Sequence, residues 1–314
     1  MPRPLQLPDP SPSEPSGWGL SRRALLAGGA GTLLLAACGS SGSGAAPTTP
    51  DATKRMSLLA FFDASGDTGG FLTTGTRQRA PFGLAGPDGS LLSATPAALD
   101  FTVTAPDGST RSYQVPRRNK GLPRSYYAVE FTPQHTGNYE ARTSFDGATV
   151  TAAFTVMKPG QDPTPRAGSA MPALATPTHT APHGVSPICT RDPECPFHTT
   201  SLDRALTLGK PTAFLVATPK FCQVAICGPV LDVMVSLRER YGDRITLIHQ
   251  EVYKSAAQAA EKGNSATLAP ALDLLRLGYE PALFLVQPDG RIQQRIDFIF
   301  DQVDLQRAFD RLVA

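Results

Sequence analysis

Between residues 56 and 157, short apolar or alternating runs are separated by turn signals, with no helical period. The runs at 58–62, 79–85, 99–105, 110–115, 126–132, 139–145 and 149–156 read as strands, because a period of two puts one face on a core and the other in water. Pro87-Asp88-Gly89, Pro106-Asp107-Gly108 and Asp146-Gly147 fall where hairpin turns belong, since glycine accepts positive φ without steric cost. About seven short strands over roughly a hundred residues predict an antiparallel β-sandwich.

Past residue 183 the pattern changes. Residues 211–217 form a continuous apolar run, as in a strand buried on both faces. Val230, Val233, Met234, Leu237 and Tyr241 follow at helical spacing and predict a helix from about Gly228, with Pro229 in its first turn. A strand at 245–249, a helical stretch near 268–275 and a strand at 281–286 come next. Pro288-Asp289-Gly290 then turns the chain into a strand at 291–298, and a last helix after Asp301 carries Val303, Phe309 and Leu312 on its apolar side. This alternation predicts an α/β domain over 183–314. The segment 158–182 between the two domains is rich in Pro, Ala and Thr and has no period, so it reads as an extended, poorly ordered connector.

The N-terminal 38 residues read as an export signal. Arg22 and Arg23 precede an apolar run at 24–37, which as a helix would span about 21 Å against a hydrocarbon core of roughly 30 Å. That is a signal peptide's length, too short to span the bilayer. Residues 39–55 are small and polar and read as a flexible tether.

Composition agrees with two packed domains: 314 residues, 41% hydrophobic, with many of the 30 prolines and 28 glycines gathered in the linkers. A net charge of +2, with no clustered basic stripe, argues against a nucleic-acid partner. Asp63 to Asp67 has the look of a calcium loop, but Thr74 stands where an EF-hand needs a bidentate Glu, so a polar turn is expected.

The five cysteines carry the chemistry. Cys38 lies at the end of the export segment, and the other four lie between 189 and 227. An even number in an exported domain implies disulfides, and four cysteines allow three pairings. Local pairing closes the shortest loops, which favours Cys189–Cys195 and Cys222–Cys227. Cys227 stands at the start of a predicted helix, where partial positive charge stabilises a thiolate.

Several of these segments resemble known families. The paired arginines resemble the twin-arginine export signal. Leu35-Ala36-Ala37-Cys38-Gly39 resembles the bacterial lipoprotein box, which implies a lipid on Cys38, membrane lipid as a partner and a position at the outer face of the cytoplasmic membrane. Phe131 to Tyr139 resembles a corner of immunoglobulin-like modules, although the cysteine-free module lacks their intersheet disulfide. The order of elements after Ser201, with Cys227-Gly228-Pro229 at a strand-to-helix turn, resembles the thioredoxin fold. That resemblance implies a cis-proline at Pro281, preceded by Glu280 and facing the redox cysteines. Val230 replaces the helix cysteine of the thioredoxin pattern, and Cys222 stands upstream instead. A CxxxxC couple still meets the Cα separation of about 4.4–6.8 Å that a disulfide needs. A charged Glu280 beside the sulfurs is expected to disfavour thiolate and make the couple more reducing.

The leading expectation is thus a membrane-anchored thiol–disulfide exchange protein with an unidentified protein partner. Its first domain is an immunoglobulin-like sandwich and its second is thioredoxin-like; Cys227 attacks, Cys222 resolves, and no cofactor or metal is required. The alternative keeps the fold and makes Cys222–Cys227 a permanent staple in a binding or scaffold module. A third reading takes Cys222, Cys227 and His249 as a copper site, as in some thioredoxin-fold chaperones. Cys189, Cys195 and His198 also offer three zinc ligands, but no fourth is evident along the chain, so a disulfide-stapled loop is expected there. His135, His179 and His183 are expected in solvated linkers or turns.

Overall fold

The computed structural model describes residues 56–62, 72–222 and 225–314. The export segment with Arg22, Arg23 and Cys38, the tether 39–55 and the turn at 63–67 lie outside the described residues.

The first half builds strands β1 (Ser57–Ala60), β2 (Leu72–Thr73), β3 (Gln78–Ala85), β4 (Ala98–Thr104), β5 (Thr110–Arg118), β6 (Tyr126–Phe131), β7 (Gly137–Phe145) and β8 (Ala148–Met157). They form one curled eight-stranded sheet in the order β1-β3-β6-β5-β4-β7-β8-β2. β5 carries the curl: Thr110 to Pro116 pair with β4, whereas Arg117 and Arg118 pair with β6. The sheet closes around Phe62, Phe82, Phe101, Tyr127, Phe131 and Phe154. Asp146 and Gly147 both take positive φ, 50° and 73°, as the twist-matched two-residue hairpin turn requires, and Phe145 pairs directly with Ala148.

The corner at 131–139 closes on Tyr139, whose buried hydroxyl donates to the His135 carbonyl at 2.9 Å and accepts from the His135 N–H at 3.2 Å. Tyr139→Phe leaves both backbone groups without that partner, and a loss of about 1–3 kcal/mol is expected in urea unfolding. A change within about 0.5 kcal/mol, the scatter of ordinary surface substitutions, would show that the corner stabilises nothing.

The second half contains α1 (Leu202–Ala205), β9 (Thr212–Val216), α2 (Cys227–Ser236), α3 (Arg238–Tyr241), β10 (Thr246–Gln250), α4 (Ala256–Lys262), α5 (Pro270–Leu275), β11 (Ala282–Val286), β12 (Ile292–Asp297) and α6 (Gln302–Leu312). The strands run β10-β9-β11-β12, with β10 parallel to β9 and β11 antiparallel to both β9 and β12. Every residue of β9 and β11 is buried, so both faces are covered. Ala213, Leu215, Leu283 and Leu285 meet Val230, Met234, Leu305 and Phe309 from α2 and α6 on one side. Phe214, Val216, Phe284 and Val286 meet Leu272 and Leu275 of α5 on the other.

That second face corrects the expectation of a loose connector at 158–182. Its helices are short, and Met171 and Leu174 of the connector fill the remaining apolar surface. The connector is also tied down: Gly168 N–H donates to Ile292 O at 2.8 Å, and Ile292 N–H to Ser169 O at 2.9 Å. Burying each such side chain contributes roughly 1.5–3 kcal/mol, enough to order a segment without secondary structure.

The two sheets meet at the start of α6. Asp301 caps the helix through Asp304 N–H at 2.9 Å, and its second carboxylate oxygen accepts from Asn119 and Lys120 N–H. Asp304 accepts from Arg79 at 2.7 Å and from the Tyr126 hydroxyl at 2.6 Å. Tyr126 of the first sheet belongs to the core of the second, and Phe298, beyond β12, to the core of the first.

Candidate functional site

β9 delivers the chain to Ala217 and Thr218 at the edge of a loop that carries Cys222, and α2 opens on Cys227. Cys222 and Cys227 are joined as a disulfide across this loop, with Cα atoms 5.9 Å apart. Cys227 is the first residue of α2 and is fully buried; Cys222 is half-buried. Gly228 and Pro229 complete the first helical turn, where N–H groups have no partner within the helix and favour negative charge on the adjoining sulfur. Ala225, in the loop, takes φ of 52°.

Glu280 reaches the same point from the other side, ahead of a cis peptide bond to Pro281. A carboxylate oxygen and both sulfurs lie within 4.8 Å of one another. Thr218 N–H donates to Glu280 Oε2. Burial pushes the Glu280 carboxyl up to about 8 against the pull of that hydrogen bond, and the charge of Glu251 adds to the rise. Around neutral pH, Glu280 is therefore mostly an uncharged acid. Sequence reasoning had it charged; the desolvation that keeps its proton is visible only in the fold.

A second group lies beside this one. Cys189, Cys195, His198 and His249 are all buried, and one donor atom from each lies within 4.8 Å of all the others. Cys189 and Cys195 are unbridged, which corrects the expected staple between them. Both sulfurs face His249 Nδ1, at 3.7 and 3.5 Å. His198 Nε2 lies 3.3 Å from Cys195 Sγ and 3.3 Å from His249 Nδ1. Hydrogen bonding with Cys195, and then with the two histidines, holds the Cys189 thiol well below its ordinary range despite burial.

His249 thus belongs to this group and not to Cys222 and Cys227, which removes the third reading, a copper site of Cys222, Cys227 and His249. Its Nε2–H donates to Ala217 O at 2.9 Å and turns Nδ1 toward the cysteine loop. Cys189 and His249 are 60 residues apart in sequence, and within β10 His249 fits an ordinary strand pattern, so no local motif advertised it. The loop is anchored further by Thr190, whose N–H and hydroxyl both donate to buried Glu251, at 2.6 and 2.9 Å. His135 and His179 are half-exposed beside Asp107 and Glu194.

No protein-family model matches the chain, and no curated protein matches it. Among solved structures, the solution structure of an uncharacterized thioredoxin-like protein from Porphyromonas gingivalis is 16% identical over 46% of this chain and 91% of its own, with a TM-score of 0.29. The crystal structure of Salmonella alpha-2-macroglobulin reacted with methylamine is 18% identical over 40% of this chain, with a TM-score of 0.24; the present chain spans 7% of its length.

Proposed function

We propose that this chain is a membrane-anchored, extracytoplasmic thiol–disulfide exchange protein in which Cys222–Cys227 is the working couple. The observation that carries the reading is the asymmetry of the bridge. Cys222 is only partly buried, Cys227 is fully buried on a helix N-terminus, and a carboxyl that holds its proton stands beside both sulfurs. The β10-β9-β11-β12 order supports a thioredoxin-like second domain, and the Tyr139 corner supports an immunoglobulin-like first one. The anchor would be Cys38. Among the described residues no helix is long and apolar enough to cross a membrane.

The burial of Cys227 supports the opposite order of attack to the one expected from the sequence. An incoming thiolate, from a partner dithiol, reaches Cys222 Sγ and forms a mixed disulfide there as the Cys222–Cys227 bond breaks. Cys227 leaves as the thiolate, stabilised by the first turn of α2, and takes the Glu280 proton. The partner's second thiolate then attacks its own sulfur and releases Cys222. The partner ends oxidised and the couple reduced, and in the reverse direction Cys222 attacks and Cys227 resolves.

A permanent staple is the second reading, favoured by the complete burial of Cys227 within the core. Redox titration of the full chain separates the two. A structural bridge resists reduction to below about −300 mV, whereas a working couple lies above that value. With Cys227→Ser, a mixed disulfide with a small thiol is expected to accumulate on Cys222; with Cys222→Ser, none is expected on Cys227. A potential below that limit, with no trapped adduct, would return the domain to the scaffold reading. Protein recovered from membranes should carry acyl mass on Cys38, and its absence there removes the anchor.

A further inference from the structure

We infer that Cys189, Cys195, His198 and His249 form a closed, tetrahedral zinc site that pins an irregular loop to the edge of the second sheet. Zinc–sulfur bonds of about 2.3 Å and zinc–nitrogen bonds of about 2.0–2.1 Å, at tetrahedral angles, set neighbouring sulfur and nitrogen about 3.5–3.6 Å apart and two nitrogens about 3.3 Å apart. The chain places sulfur and nitrogen at 3.3, 3.5 and 3.7 Å and the two nitrogens at 3.3 Å. These are four of the six edges of a tetrahedron of the size that zinc fills, and the other two, Cys189 to Cys195 and Cys189 to His198, lie within 4.8 Å.

Hydrogen bonding alone does not account for the cluster. Because His249 spends its N–H on Ala217 O, its Nδ1 brings only a lone pair to the centre. Thiols are weak donors, and His198 Nε2 can add at most one N–H, so hydrogen bonds leave the sulfurs weakly satisfied in a dry interior. A divalent cation satisfies all four. With both sulfurs ionised, two thiolates, two neutral imidazoles and a 2+ ion sum to zero charge, which offsets the cost of burying the sulfur charges.

The donor set selects the ion. Two sulfurs and two imidazoles in tetrahedral array suit zinc. All four residues are at most 7% exposed, which leaves no open position for water or substrate, so the site is structural. The Ala217 carbonyl orients His249, as a hydrogen-bond partner orients a metal-bound imidazole. The held segment, 183–201, has no regular secondary structure and lies along β10, the edge strand, with His249 N–H donating to Phe197 O. The ion does what the expected Cys189–Cys195 disulfide would have done, and it also ties the loop to the sheet.

The experiment is metal counting by mass spectrometry on the full chain, purified without chelator from cells supplied with both zinc and copper. About one zinc per chain is expected. Cobalt loading should give the visible bands of a tetrahedral centre together with sulfur-to-cobalt charge transfer. C195S and H249N should keep less than about a tenth of the zinc, since even losing a group that merely orients a ligand costs about 10–100-fold in affinity. H135A, at a half-exposed histidine beside Asp107 and outside the donor set, should keep all of it. Should C195S or H249N fail to fold, the wild-type chain still decides: Cys189 and Cys195 should resist alkylation until a chelator is added. A zinc-free chain with a Cys189–Cys195 disulfide in peptide maps would overturn the inference, as would stoichiometric copper in place of zinc.

Discussion

Replacing Asp304 by alanine is expected to cost the fold about 3–5 kcal/mol, the penalty for stranding the partners of a buried charge. Arg79 and Asp304 are only 17% and 12% exposed, and Arg118 approaches the same carboxylate at 3.3 Å. Without Asp304, the Arg79 guanidinium, stacked over Tyr126 with its carbon 5.2 Å from the ring centre, loses its counter-charge where water cannot replace it. Burial alone would raise the Asp304 carboxyl, but the Arg79 charge and hydrogen bonds from Tyr126 and Arg79 hold it below its ordinary value. Its stabilisation is therefore fully present at neutral pH and disappears only as acid carries the solution through that lowered value. Equilibrium unfolding in denaturant measures the loss, with Glu130→Gln as the comparison. Glu130 pairs with Arg77 at the surface, where side-chain exposures are 44% and 75%, so its removal should cost no more than about 1 kcal/mol. Equal losses at the two sites would show that the Asp304 cluster is no better than a surface pair. Asp304→Asn, which keeps the shape and drops the charge, should fall between them.

Glu280→Gln is expected to slow reduction of the Cys222–Cys227 bridge about 10²-fold at neutral pH, the lower end of what a positioned acid supplies. The amide retains the bond from Thr218 N–H but has no proton for Cys227. The wild-type rate should fall as pH rises through about 8, where Glu280 gives up its proton, and the Gln variant should show no such step. Stability provides an independent reading. The folded carboxyl keeps its proton to about 8 while an unfolded one releases it near 4.5, so the native state binds more protons between those values. The stability contributed by Glu280 is thus complete below the lower value and is lost as pH climbs to the upper one. Glu280→Gln should flatten that slope. A variant with unchanged rate and unchanged slope would show that Glu280 does not serve the couple.

The strands were legible because burial on one face imposes a period of two. The expected 110–115 and 139–145 became β5 at Thr110–Arg118 and β7 at Gly137–Phe145, their cores in place and their ends extended by pairing across the sheet. The helix at Cys227 and the bridge to Cys222 were equally local and equally visible. What escaped was set by contacts between distant segments. Met171 and Leu174 sit in a Pro-rich stretch with no period, and only the bare face of β9 and β11 gives them somewhere to go. His249 was a candidate ligand on sequence, but beside Cys222 and Cys227; only the cysteine loop folded over β10 sets it against Cys189 and Cys195. That Cys227 is buried and Cys222 only partly so is a property of packing and not of spacing.

The interlocking of the two cores also has a kinetic consequence. Tyr126 meets Asp301 and Asp304, and Asn119 meets Asp301, at sequence separations of 175, 178 and 182. Phe298 completes a core whose other members are residues 58–156. Closing contacts so far apart in sequence must be preceded by a large loss of chain entropy, and folding slows as the mean separation grows. On a ribosome that adds roughly 5–20 residues per second, the eight strands of the first half are made many seconds before Phe298 and Asp304 exist to finish them. The contacts of Phe298, Asp301 and Asp304 with the first half are therefore among the last that the chain can make.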